Sequence, residues 1–169
     1  MINKEKKSDE EIKNEEKNKD KNNKTKDEQN KEAYVVRGAR MICSCGSHKR
    51  RINLPISHGS YVKEKPIMFK NDYVSEYPSK EKYNIPYFGI CSNSKNKNKE
   101  VITLAHEKTR EPIDGIKCTP KFLMPWEKCK KDMFLGEMAL TTSSILYCAY
   151  GGVISFVTSG QEKFKEAEK

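Results

Sequence analysis

No stretch of this chain can span a membrane as a helix: nowhere does an apolar run approach the roughly 20 residues a span needs. Met1-Ile2-Asn3-Lys4 leads straight into charge, with no apolar signal core behind it. These two absences predict synthesis in the cytosol and no stable membrane anchoring. Glycine-rich phosphate loops and paired catalytic carboxylates are also missing. No acid is spaced to orient a Cys/His nucleophilic pair, so the sequence predicts that the protein is not an enzyme. Helix signals are scarce, and no Cys-x-x-Cys knuckle is present, which excludes a zinc ribbon or finger by spacing.

Residues 1–32 lack glycine, proline and aromatics, and their only apolar side chains are Met1, Ile2 and Ile12. Such a segment cannot bury enough surface to offset the entropy of ordering it. It reads as a disordered charged tail, helical at most transiently through Glu/Lys pairs. Its ten lysines balance ten acidic residues, so the +9 net charge belongs wholly to residues 33–169, with 23 Lys plus Arg against 14 Asp plus Glu. A basic domain can meet nucleic acid, an anionic membrane surface or an acidic protein. Many of the lysines sit in loops such as Ser94 to Lys99 rather than in one dense run, which reads first as an exposed, solvated surface.

What the chain does have is many short strand signals. Residues 34–45 read as a strand that turns at Gly46-Ser47-His48 and returns over 49–54 to Pro55. Residues 144–157 repeat this grammar, with an apolar strand, Cys148 near its end, Gly151-Gly152, and a second strand. Between the two hairpins, Tyr61-Val62 and Ile67-Met68-Phe69 flank Pro66 as short strand candidates, and residues 70–82 read as loop. Val101 to His106 alternates as a strand, and residues 133–140 lead through Gly136 into the second hairpin. Residues 161–169 form a short charged end with at most a turn or two of helix. All seven prolines and nine glycines follow residue 32, so residues 33–160 are predicted to be one all-β, loop-rich domain with a thin core. A thin core makes a metal clip plausible.

The clip has candidate ligands. Six cysteines in a reducing compartment point to metal ligands or free core thiols rather than disulfides. Cys43, Cys45, Cys91, Cys118 and Cys148 lie beside glycine or proline turns, where the backbone can fold tightly around a tetrahedral zinc ion. The favoured set is Cys43, Cys91, Cys118 and Cys148. Cys45 points to the same face as Cys43 if both lie in a strand, so either can ligate. Buried thiols with no metal are the plainer alternative. Cys129, among Glu127, Lys128, Lys130 and Lys131, reads as an exposed bystander. His48 and His58 sit in turns and can replace a thiolate, although a solvent-facing turn histidine is the simpler reading. Both matching hairpins predict that Cys43 and Cys148 approach a common centre, completed by Cys91 and Cys118 from loops.

Four blocks carry a resemblance: Val36-x-Gly38-Ala39-x-Met41-x-Cys43-Ser44-x-Gly46; Asn84-Ile85-x-x-Phe88-Gly89-x-Cys91; Lys117-Cys118-x-Pro120 with Pro125-Trp126; and Leu146-x-Cys148-x-x-Gly151-Gly152-x-Ile154. In this order, over about residues 34–160, they resemble the PAAR-like family, long catalogued as a bacterial domain of unknown function. The resemblance implies a small β-rich cone, clipped by zinc near its point. It also implies a seat on a trimeric VgrG-like spike of a contractile injection apparatus, with an effector as possible cargo. The protein would then be cytoplasmic at assembly and later delivered with the particle. True PAAR domains use mainly histidine ligands and a Pro-Ala-Ala-Arg tetrapeptide; this chain offers cysteines and lacks the tetrapeptide. The rival reading is a basic zinc-binding nucleic-acid module. Tyr83, Tyr87 and Phe88 can stack bases, but a core role beside Cys91 is more economical, and no groove-entering helix is visible, so no specific nucleic-acid partner is expected.

Overall fold

The computed structural model describes residues 32–76 and 81–162. The expectations for a disordered tail before residue 32, for the end of the 70–82 loop and for a helical turn after residue 162 fall outside these residues. Ten short strands make up the described chain, with no helix: β1 (Arg40–Cys43), β2 (Arg50–Arg51), β3 (Tyr61–Val62), β4 (Lys65–Pro66), β5 (Val101–Ala105), β6 (Pro112–Ile116), β7 (Met133–Phe134), β8 (Glu137–Met138), β9 (Ile145–Tyr147) and β10 (Val153–Phe156). The domain is all-β, built from short antiparallel hairpins. Its compact unit begins at Ala33.

The two hairpins read from the sequence meet in one sheet of order β2-β1-β10-β9. Cys43 pairs with Ile154, and Ile154 pairs with Leu146. Met41, Cys43, Leu146 and Ile154 alternate with exposed or half-buried neighbours, so one face of the sheet is buried. The predicted strand 34–45 is in fact two segments. Gly38, at a φ of 90°, turns the chain after Arg37, and no β-branched residue would fit that left-handed conformation without strain.

The segment before this break belongs to the most regular feature of the molecule. Val35, Met68 and Leu140 form a closed ring of backbone hydrogen bonds. Val35 N–H donates to Leu140 O at 2.9 Å, Leu140 N–H to Met68 O at 2.9 Å, and Met68 N–H to Val35 O at 3.0 Å. The positions around them repeat the pattern. Val36 bridges Ile67, Phe69 bridges Ala139, and Thr141 bridges Tyr34. One residue further out, Arg37, Lys70 and Thr142 donate to Pro66, Met138 and Ala33, each at 2.9 Å. Each segment then closes a tight turn, through Ala39 N–H to Val36 O, Asp72 N–H to Phe69 O and Ser144 N–H to Thr141 O. Segments 33–37, 66–70 and 138–142 are thus related by an approximate threefold axis within a single chain.

Strand alternation puts successive ring residues on opposite faces. Val35, Met68 and Leu140, all fully buried, join the larger core with Cys43, Phe88, Cys118, Trp126 and Ile154. Val36, Ile67, Phe69 and Ala139 form a second cluster, packed by Tyr34, Val62 and Phe134. Hairpin β3–β4 leads into the second ring segment and hairpin β7–β8 into the third. Their two-residue turns, Lys63-Glu64 and Leu135-Gly136, are left-handed at both positions, the geometry that matches strand twist in tight hairpins. At the third place, next to the first ring segment, lies the turn around Gly160. Ser159 O accepts the Val36 N–H there at 3.0 Å, and Gln161 Nε2 donates to Tyr34 O at 2.6 Å.

Several local readings need correction. The pair β7–β8 is a hairpin of its own, not a passage into β9, and it was hidden because each strand is two residues long. Gly115-Ile116 ends strand β6 rather than forming a turn before Cys118. Gly115 is required there because a Cβ would stand 2.4 Å from Ile90 Cγ2. The loop Asn93 to Lys99 is not wholly exposed: Asn96 is buried and donates to Lys117 O at 3.1 Å. Among the described residues, every buried side-chain nitrogen or oxygen has a partner. No helix there is long and apolar enough to cross a membrane.

Candidate metal centre

Strands and turns from four parts of the chain deliver five thiols to one place. Cys43 ends β1. Cys45 follows in the turn that Gly46 closes, where Gly46 N–H donates to Cys43 O at 3.0 Å. Residue 46 must be glycine, since a Cβ would lie 2.5 Å from Phe88 Cβ and 2.8 Å from Phe88 O. That close approach sets the neighbouring segment: Gly46 bridges Cys91, and Ser92 N–H donates to Cys45 O at 2.8 Å. Cys118 is tied to the same segment, its N–H to Gly89 O at 2.7 Å and its O to Phe88 N–H at 2.8 Å. Cys148 follows β9, bridges Phe122 and accepts the Tyr150 N–H on its sulfur at 3.5 Å.

Together Cys43, Cys45, Cys91, Cys118 and Cys148 surround a cavity of about 10 Å³, room for about one water-sized sphere, with Asn96 and Gly152 also in its wall. Gly152 keeps that space open. A Cβ there would stand 2.9 Å from Cys43 Sγ, 3.7 Å from Cys45 Sγ and 3.6 Å from Cys148 Cβ. All five thiols are free; Cys43, Cys118 and Cys148 are buried, and Cys45 and Cys91 are half-buried.

The thiols act on one another's protons. The Cys118 thiol donates to Cys43 and, helped by the Cys45 and Gly46 N–H groups against the effect of burial, holds Cys43 down to about 7. Cys118 is correspondingly pushed far up by that hydrogen bond, by burial and by the charges of Cys43 and Cys91. Cys148 is raised chiefly by burial, with Cys43 adding repulsion. One negative charge is therefore easily accommodated and further ones are not, because each added thiolate meets its neighbours in a poorly solvated space. A soft cation would reverse that balance, since thiolates are its natural ligands and the cation neutralises them. No carboxylate or imidazole competes at the cavity. Among the described residues no three His, Cys, Asp or Glu side chains already stand in a metal-holding arrangement. Each thiol swings on a single torsion.

The structure separates the remaining candidates from this centre. Cys129 lies outside it, as expected, but is not exposed: it packs half-buried against the core and donates to Trp126 O at 3.3 Å. His48 is held between Ser47 Oγ at 2.7 Å and Ala105 O at 2.9 Å, tying the turn to hairpin β5–β6. His58 reaches Asp72 at 2.9 Å and stacks on Phe69 at 4.9 Å. Neither histidine lines the thiol cavity. Phe88 is fully buried, in keeping with a core role, while Tyr87 lies beneath Arg50 and Lys117.

Beside the thiols, sharing Thr119, Pro120 and Tyr150 with them, opens a cleft of about 870 Å³ that sequence reasoning missed. Lys97, Lys99, Lys117 and Lys121 line it with Tyr73 and Phe122. Its residues come from four separate segments of the chain, which left no local signal in the sequence.

Among curated proteins and among solved structures, none matches the chain. One family model does, described as Domain of unknown function (DUF4280), over residues 35–161. That span opens at the first ring residue, closes beside it at Gln161, and includes all five clustered thiols. With most of its length matched, the chain belongs to the DUF4280 family.

Proposed function

We propose that this protein is a structural, non-enzymatic tip protein that caps the trimeric spike of a contractile injection apparatus, of type VI-like or phage-tail-like kind, and that zinc clips its thiol centre. The observation that carries this reading is the ring. A homotrimer presents three identical surfaces around its axis, and a single chain can engage all three only if it repeats a contact region three times. Segments 33–37, 66–70 and 138–142 supply such a repetition. A trimeric β-helical spike ends in open strand edges, which are a liability unless covered. Short hairpins such as β3–β4 and β7–β8 can cover them by edge pairing. The four sequence blocks that resemble PAAR-like proteins lead to the same reading.

In this reading Cys43, Cys91, Cys118 and Cys148 hold the zinc ion, and its binding free energy adds to the stability of the domain. The test is a native mass measurement on the full chain mixed with a trimeric VgrG-like spike protein from the same source. One copy of this chain per spike trimer is expected. Three copies per trimer, or no complex, would sink the proposal.

The cleft favours a second reading, a nucleic-acid-binding module, because four lysines against two glutamates, Glu76 and Glu100, with three aromatics along one groove suit a single strand. Tight binding of a single-stranded oligonucleotide that falls steeply with salt would support it; weak binding with no sequence preference would not.

A further inference from the structure

A tetrahedral ion needs four ligands, and this centre has five thiols. Four of them make a continuous chain of neighbours: Cys148 acts on Cys43, Cys43 is hydrogen-bonded to Cys118, and Cys118 to Cys91. Cys45 stands outside that chain, at the rim. Like Cys91 it is half-buried, and among the described residues its sulfur has only weak hydrogen-bond partners, Ser44 Oγ and Asn93 Nδ2, both at 3.8 Å. Yet nothing separates it from the inner thiols. The space that a side chain at residue 152 would fill lies 3.7 Å from Cys45 Sγ and 2.9 Å from Cys43 Sγ, and glycine leaves that space open.

We propose that Cys45 is the exchange ligand of the thiol centre, binding an incoming soft divalent cation first and passing it across the Gly152 gap to Cys43, Cys91, Cys118 and Cys148. This rests on reading the centre as a metal clip. Cys45 and each inner thiol give up a proton to solvent as their sulfur–metal bonds form; when the fourth inner thiolate replaces Cys45, the Cys45–metal bond breaks and Cys45 takes a proton back from solvent. Release runs the same path in reverse. A fifth thiolate within reach lowers the barrier to exchange, because the ion need never become three-coordinate. A buried four-thiolate site without such a neighbour would give up its ion slowly.

The experiment loads the full chain with Zn²⁺ and follows zinc transfer to an excess of chromogenic chelator. Cys45→Ser should keep one zinc and an unchanged melting temperature while transfer slows about tenfold. A measurement on the unmutated protein backs this up: brief alkylation of the zinc-loaded chain should mark Cys45, spare the four inner cysteines, and slow transfer likewise. Equal transfer rates with and without the Cys45 thiol would overturn the inference, as would protection of Cys45 alongside the other four. A Cys45→Ser protein that binds no zinc would overturn it too, by making Cys45 a holding ligand. An unmutated chain that binds no zinc would instead overturn the metal clip itself.

Discussion

At the ring, three segments are joined by backbone hydrogen bonds that close on themselves, and the side chains at its centre, Val35, Met68 and Leu140, are fully buried. At the thiol centre the approach is made by turns, and glycines at 46 and 152 are needed to bring them close. The ring satisfies its central backbone groups within its own three segments, and its side chains at 35, 68 and 140 are buried in the shared core. The thiol centre gathers sulfurs that repel one another once ionised, in a space with little water. The ring is therefore complete in its backbone bonds without an ion, and the thiol centre gains most from an added cation.

The sharpest way to break this contrast is to damage each end with and without metal. Leu140→Ala opens a cavity at the ring and should cost about 2–5 kcal/mol in urea unfolding, equally in zinc and in chelator. A loss that depends on metal would mean that the ring is not independent. Cys118→Ser should behave the opposite way. With zinc at about a hundred times its dissociation constant, the bound ion contributes about 2.7 kcal/mol, and the variant should lose roughly that amount. In chelator its loss should be small, within about 1 kcal/mol. Cys129→Ser, with its hydroxyl placed to keep the bond to Trp126 O, is the matched control and should leave zinc content unchanged. If Cys118→Ser and Cys129→Ser melt alike in zinc, the thiol centre has no special dependence on the ion.

The smallest effect lies at Asp72, which closes the turn of the second ring segment. Burial raises its carboxyl above the ordinary 3.8, against the pull of the Phe69 N–H and His58. The folded state therefore holds the Asp72 proton more tightly than the unfolded chain does. That contribution is fully present at acid pH and is lost as pH rises through the folded value. Asp72→Asn mimics the protonated form and keeps an oxygen for Phe69 N–H. The stability of wild type relative to Asp72→Asn should thus be greatest near about pH 3 and fall toward about pH 6. A difference that grows with pH would show that the charge on Asp72 stabilises the fold through His58.

The contrast between the two ends also explains what could be read from the sequence. The strands around Cys43 and Cys148 were legible because alternation and glycine turns are local signals, and the gathering of thiols followed from those turns. Strand β5 was legible by alternation. Its partner β6 was not, because Pro112, Asp114 and Gly115 have the composition of a loop and are strand residues only through pairing with Val101–Ala105. The ring was invisible for a deeper reason. Val-Val-Arg, Met-Phe-Lys and Leu-Thr-Thr share almost no residue, and what they share is a backbone pattern. Even the turn that follows each is closed by a different group. Asp72 accepts the Phe69 N–H at 2.6 Å, Ser144 accepts the Thr141 N–H at 3.0 Å, and at the first segment, where Ala39 has no acceptor, the carbonyl of Ser159 takes the Val36 N–H. Three unrelated solutions to one hydrogen bond leave no motif to find.

That last substitution has a mechanical consequence. Because Ser159 and Gln161 bond to Val36 and Tyr34, the chain enters and leaves the ring at the same corner. A pull applied through both flanking segments would be borne across those few bonds, peeling the Ser159 turn from the first ring segment. Those bonds therefore yield before the load reaches β1 and β10, where Cys43 pairs with Ile154.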